Sequence, residues 1–222
     1  MEDILKVWLR TDAVCLDVDS TTIQEEGIDE LANFCGKGEA IANLTSRAMG
    51  GNMTFQESLK QRLEILKPSL GQVEEFLRLK PATFTPAIEE LVQILHQNGI
   101  PVYLVSGGFR RLIAPVAKRL NIPESHVYAN CLLFSDAGEY VGFDEQELTS
   151  RSGGKGRVIE MLKKLHAYRN VVMIGDGMTD LEACPPGDAF IGFGGVVVRE
   201  AVRDKAKWYV KEFRELIECY KK

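Results

Sequence analysis

The chain has 222 residues, 45% of them hydrophobic and 27% charged, and carries 32 acidic against 27 basic side chains for a formal charge of −5. This is an ordinary globular mix, long enough to bury a core without disulfide or metal staples. It argues against a nucleic-acid partner, because no basic block stands out, and no stretch approaches the roughly 20 apolar residues that cross a bilayer.

The opening segment, MEDILKVWLRTDAV, is acidic early and interrupted by charges, so it does not read as a signal peptide. Next comes AVCLD (13–17), an apolar run of strand type that ends on Asp17, with Asp19, Ser20 and Thr21 following. Residues 24–82 hold four helical patterns with no strand between them, punctuated by Gly36, Gly50-Gly51, Pro68 and Pro81. From there strands and helices alternate: PAIEELVQILHQNG (86–99), IPVYLVSGG (100–108), RRLIAPVAKRLN (110–121), GGKGRVIEMLKKLHAY (153–168), NVVMIGDG (170–177) and DAFIGFGG (188–195). CLLFSDAGEYVGF (131–143) is the exception and predicts a β-hairpin around D-A-G. The pattern predicts an α/β fold: a Rossmann-like parallel sheet core with helices on both faces, a β-hairpin, and a small helical cap inserted after the first strand. The catalytic core would be 1–22 and 83–222, and the cap, or lid, 23–82.

Five cysteines (Cys15, Cys35, Cys131, Cys184, Cys219) without a CxxC read as reduced and mostly buried thiols of a cytoplasmic protein. The three histidines are too few and too scattered for a zinc site, with His96 and His166 on helical patterns as surface residues.

In open α/β sheets, ligands bind outside the carboxyl ends of the strands. The groups expected there are Asp17 and Asp19; Ser106, Gly107 and Gly108 in a turn; Asp176, Gly177, Thr179 and Asp180; and Lys155 at a helix start. Side chains two apart on a strand share a face, so Asp17 and Asp19 can point into one site. A set of buried carboxylates with oxygen-only donors suits Mg²⁺. A carboxylate about 4 Å from one unit of phosphate charge is repelled by about 4 kcal/mol at an effective dielectric of about 20. Without Mg²⁺ and Lys155, Asp17 could not approach a phosphate. Given those cations, Asp17 is a competent nucleophile toward phosphorus and Asp19 is placed to serve as acid and base. Each motif alone has a plainer reading: a tight turn for SGG, a solvated charge for Lys155. Four of them in this order at strand ends do not.

DVDST, SGGF, the lysine of SGGKG and GDGMTD together resemble the four motifs of the haloacid dehalogenase-like phosphohydrolases, and the likeness runs over about 12–215. EEGIDELA, RAMGG and Arg62 narrow it to members that hydrolyse O-phosphoserine, the last step of phosphorylated serine biosynthesis. The resemblance implies Asp17 as nucleophile, Asp19 as acid/base, and Mg²⁺ on Asp17, Asp19 and Asp176. It implies phosphate binding by Ser106, Lys155 and the amides of Gly50 and Gly107, with Thr179 and Asp180 supporting the site. Glu26, Met49 and Arg62 would contact the serine part. Thr179 departs from the Asn that many bacterial relatives carry. From spacing alone, Glu26 could equally be a helix-start carboxylate, Arg62 a surface charge and Met49 a core residue. The expected partner is a small molecule, O-phosphoserine, with no nucleic acid and no membrane, and a homodimer left open. The alternatives are a phosphatase or mutase of the same superfamily on another small phosphometabolite, a phospho-accepting signalling domain, and an inactive binding module. Asp19 argues against the signalling domain, since a hydrolytic acid/base would shorten the life of the signal, and the presence of Asp17, Asp19, Lys155 and Asp176 argues against the inactive module.

Overall fold

The computed structural model describes residues 2–48 and 53–220. The chain opens on a short helix, α1 (Glu2–Trp8), and enters the sheet through β1 (Ala13–Leu16), all four residues of which are buried. Four helices follow: α2 (Gly27–Phe34), α3 (Gly38–Ala48), α4 (Phe55–Leu66) and α5 (Leu70–Leu79). Local chemistry sets two of the starts. Thr54 and Glu57 form a reciprocal capping box before α4, and Ser69 and Gln72 do the same before α5. Lys67 in the left-handed region, followed by Pro68, stops α4.

The alternating half then runs α6 (Ile88–Gln97), β2 (Val102–Phe109), α7 (Arg110–Arg119), β3 (Val127–Asn130), the hairpin β4 (Leu132–Phe134) and β5 (Tyr140–Phe143), α8 (Gly154–His166) and β6 (Val171–Gly175). It closes with α9 (Met178–Leu181), β7 (Ala189–Phe193), α10 (Glu200–Arg203), β8 (Tyr209–Val210) and α11 (Phe213–Ile217). The main sheet is six-stranded in the order β3-β2-β1-β6-β7-β8, and its pairs are parallel. The expected fold class therefore holds, hairpin included.

Alternation along the central strands divides the core. Val14 and Leu16, with Val102, Leu104, Val172 and Ile174, meet α1, α6, α7 and α11 on one face. Ala13 and Cys15, with Tyr103, Val105, Val171 and Met173, meet α8 on the other. Burial on both faces is why these strands read as unbroken apolar runs. The helices α2–α5 enclose a smaller cluster of their own around Leu31, Ile41, Leu66, Val73 and Phe76, to which Leu132 and Phe134 of the hairpin contribute.

Three expectations need correction. The strands β3 and β8 and the helices α1, α9, α10 and α11 have no counterpart in the sequence pattern. Ser106-Gly107-Gly108 is the irregular end of β2, where the pairing with β3 shifts between Val105 and Phe109, and not a turn beyond the strand. Glycine tolerates such an irregularity at low cost. Of the five cysteines only Cys15 is fully buried. Among the described residues no helix is long and apolar enough to cross a membrane.

Trp8 ties the first helix to the last: it is fully buried, its Nε1 donates to Leu216 O at 3.3 Å, and its ring meets Tyr220 edge-on at 5.4 Å. Trp8→Ala is expected to cost about 3–5 kcal/mol, read as a lower denaturant midpoint. KM should not change, because Trp8 contacts the C-terminal residues Leu216 and Tyr220. A change in KM with unchanged stability would contradict that role.

Candidate active site

The carboxyl ends of β1, β2 and β6 open onto a cavity of about 580 Å³ whose wall includes Asp17, Asp19, Glu26, Arg62, Gly107, Gly108, Lys155, Asp176, Thr179 and Arg199. Asp17 follows β1 directly. The chain then folds into one irregular turn, Val18–Thr22, with Ser20 at φ 52°, closed by Thr22 Oγ1 on Asp17 O at 2.6 Å and Ile23 N on Val18 O at 3.0 Å. Asp17 and Asp19 share the cavity, as expected, but the turn brings them together and not the pleat of a strand.

Asp17 is held through one oxygen. Val18 N donates to Oδ1 at 2.8 Å and Lys155 Nζ lies 2.6 Å from the same atom. Lys155 is 8% exposed and lies equally close, 2.6 Å, to Asp180 Oδ1. Asp180 is fully buried, and its other oxygen accepts Gly177 N at 3.0 Å. Gly175 has to be glycine for this: a Cβ there would meet the Asp180 carboxyl at 2.3 Å. Asp176 accepts Thr21 Oγ1 at 3.3 Å on Oδ1 and Arg199 Nε at 2.6 Å on Oδ2.

Asp19 points elsewhere. Its Oδ1 accepts the amide of Gly27, the first residue of α2, at 2.8 Å, and its Oδ2 lies 3.4 Å from Ser106 Oγ. Ser106 is fully buried, outside the cavity wall, and also accepts Gly108 N at 2.8 Å. Asn130 Nδ2 holds Gly107 O at 2.7 Å, and Thr149 Oγ1 holds Asn130 Oδ1 at 3.0 Å. Glu26 Oε1 accepts Ser20 Oγ at 2.8 Å and Arg199 Nη2 at 3.0 Å. Arg62 of α4 reaches the cavity with a buried Nε that has no hydrogen-bond partner among the described residues. Thr179 is exposed on the wall. Met49 and Gly50 lie outside the described residues.

Charge is concentrated here. Burial, then Asp180, raises the Asp17 carboxyl to about 7, and burial, then Asp17 and Glu26, raises Asp19 to about 7. Burial also raises Asp176 and Asp180. Burial opposes the charge on Lys155, but Asp17 and Asp180 outweigh it and hold the ammonium above its ordinary value.

Oxygens of Asp17, Asp176 and Asp180 all lie within 4.8 Å of one another, the one such group of metal-ligand type among the described residues. Hard carboxylate oxygens with more negative than positive charge around them fit a divalent cation of the Mg²⁺ type. Asp19, expected among the ligands, keeps its carboxylate on Gly27 N and not in this group.

Sequence reasoning missed Arg199, the Gly27 amide and the Asn130–Thr149 pair. Arg199 is a single arginine after GGVVV, and nothing local marks it as reaching Asp176 and Glu26.

The sequence model of the haloacid dehalogenase-like hydrolases matches residues 11–185. The chain belongs to that family. It is 53% identical over 215 residues to the phosphoserine phosphatase of Mus musculus, spanning 97% of this chain and 96% of that one. In three dimensions it is similar to a phosphoserine phosphatase solved as a phospho-aspartyl intermediate analogue, with TM-score 0.80 and 28% identity over 94% of this chain and 98% of that one. It is also similar to DsGPDH of Dunaliella salina, with TM-score 0.87 and 35% identity over 99% of this chain, which spans only 37% of that longer one.

The raised carboxyls make stability depend on pH. Asp17 and Asp19 keep their protons to about pH 7 in the fold but only to the ordinary carboxylate range when unfolded. The folded chain therefore binds more protons across that window, and stability falls as pH rises through it. In the absence of divalent cations, Tm should drop from about pH 5 to about pH 7.5, and Asp19→Asn should flatten the slope. Added Mg²⁺ should raise Tm more at the upper pH, where the carboxylates are ionised. A slope unchanged by Asp19→Asn, or an equal Mg²⁺ effect at both pH values, would contradict the charge assignment.

Proposed function

We propose that this protein is a Mg²⁺-dependent phosphomonoesterase that hydrolyses O-phosphoserine to serine and phosphate through an aspartyl-phosphate, in the cytoplasm, within serine biosynthesis. One observation carries the reading: a single cavity holds the Asp17–Asp19 pair together with the Glu26 carboxylate and the Arg62 guanidinium, whose Nε has no hydrogen-bond partner among the described residues. Phosphoserine has a phosphate, an ammonium and a carboxylate to match them. The names of the relatives above support the same substrate.

Residues 23–82 act as the cap and bring Glu26 and Arg62 over the sheet end. Val18 N and Lys155 both sit on Asp17 Oδ1, so Oδ2 is the oxygen that attacks phosphorus. The bond from phosphorus to the serine oxygen breaks, and Asp19 gives that oxygen its proton. A carboxyl titrating near 7 is suited to this. Asp19 then takes a proton from water, whose oxygen attacks the same phosphorus. The acyl–phosphate bond breaks and frees phosphate and the Asp17 carboxylate. Gly27 N fixes the orientation of Asp19 throughout. Lys155 and the end of β2 receive the phosphate oxygens, with Ser106 acting from beneath through Gly108 and Asp19. Asp17 and Asp176 would hold the cation, which supplies positive charge against the phosphate. Asp180 accepts Gly177 N and orients Lys155.

The test is phosphate release from a panel of phosphomonoesters with and without Mg²⁺, repeated on Arg62→Ala. Phosphoserine should be the best substrate and activity should vanish with chelator. Arg62→Ala should cost about 2–4 kcal/mol in kcat/KM for phosphoserine, the range for a buried charged contact. It should cost far less for phosphoethanolamine, which lacks the carboxylate. Equal loss on both would make Arg62 structural, and a better substrate without an amino-acid group would overturn the assignment.

A further inference from the structure

Two crossings join α2–α5 to the sheet, residues 23–26 on the way out and 80–84 on the way back. They are tied together. Ile23 and Phe84 form an isolated antiparallel bridge. Gln24 N donates to Thr83 O at 3.0 Å, and Thr85 N to Thr22 O at 3.1 Å. The Glu25 carboxylate accepts Thr83 N at 3.0 and 3.1 Å. The core grips the pair through Arg119, the last residue of α7. Its Nη1 donates to Ala82 O at 2.7 Å, and its guanidinium lies over the Phe84 ring at 3.8 Å.

Beside this clasp is a cavity of about 330 Å³, walled by Ile23, Phe76 and Leu79 on one side and Leu112, Val116 and Arg119 on the other. A close-packed joint resists rocking, because every displacement meets atoms. A void of this size at the root of α2 and α5 leaves room for it. The outgoing crossing also runs straight into Glu26, which binds Ser20 and Arg199, and Gly27, whose amide holds Asp19. Slack in the clasp is therefore delivered to the acid/base and to the proposed ammonium ligand.

We propose that Arg119, more than 90 residues from the catalytic aspartates in sequence, is a positioning residue that sets how far residues 23–82 open and how Asp19 and Glu26 are presented. The inference rests on the reading of those residues as a closing cap. Arginine suits the task because one planar group binds the carbonyl and stacks on the ring at once. Lysine keeps the donor and loses the stacking plane.

Arg119→Ala should raise KM for phosphoserine about tenfold and change kcat by less, with Arg119→Lys in between. Hydrogen exchange at Gln24, Thr83 and Thr85 should quicken by a similar factor, while the amides of β1 and β6 keep their protection. Phe84→Leu should act through the same contact, so its effect on KM in the Arg119→Ala background should be much smaller than in the native chain. KM and exchange both within twofold of the native protein in Arg119→Ala would overturn the proposal, as would additive effects of the two substitutions. If the native protein does not turn over phosphoserine, the substrate reading fails and the exchange measurements still decide whether Arg119 holds the clasp.

Discussion

Lys155 Nζ lies 2.6 Å from Asp17 and 2.6 Å from Asp180, and all three residues are buried. Leaving any one of them unpaired in that setting would cost several kcal/mol. The rest of the site is arranged around this constraint. Asp180 can come so close to the end of β6 only because Gly175 has no side chain. Arg199 answers Asp176 in the same way from the loop after β7. Burial raises all four carboxyls, and like-charged neighbours add to it; the surplus of Asp17, Asp19, Asp176 and Asp180 over Lys155 and Arg199 accounts for the fit to a divalent ion.

The parallel sheet makes that concentration of charge affordable. Four strands, β1, β2, β6 and β7, end at the same edge, and their interiors are apolar on both faces. The rigid core fixes Asp17, Asp176 and Lys155. Asp19 and Glu26 sit where the chain leaves the sheet for the helices, and their partners, Gly27 N and Arg199, lie on opposite sides of that boundary. In the mechanism we propose, substrate recognition and proton transfer meet at this boundary.

Much of this could be read in the sequence, for a physical reason. A strand that ends in Asp17, in Gly107-Gly108 or in Gly175-Asp176 announces a site locally, since apolar burial stops where the chemistry starts. The helical segment could be read from its period and its Gly and Pro breaks. What escaped depends on distant partners. Arg199 gains its role from Asp176 and Glu26, 23 and 173 residues away. The two-residue β8 and the four-residue β3 are too short to show a period. His96, His126 and His166, scattered along the chain, line one hollow near Tyr168, and no three metal-ligand atoms converge there among the described residues. The glycines at the end of β2 form a strand irregularity that the sequence does not distinguish from a turn.

The central claim is that Asp17 attacks phosphorus. Phosphoserine labelled in its phosphate, mixed with enzyme and stopped with acid within one turnover, should leave label on the protein, and peptide mapping should place it on Asp17 alone. Asp19→Asn should increase the trapped fraction when a nitrophenyl phosphate is used, because the leaving group needs no proton while the water step still does. Label on any other residue, or turnover with no labelled protein at any time, would contradict the mechanism.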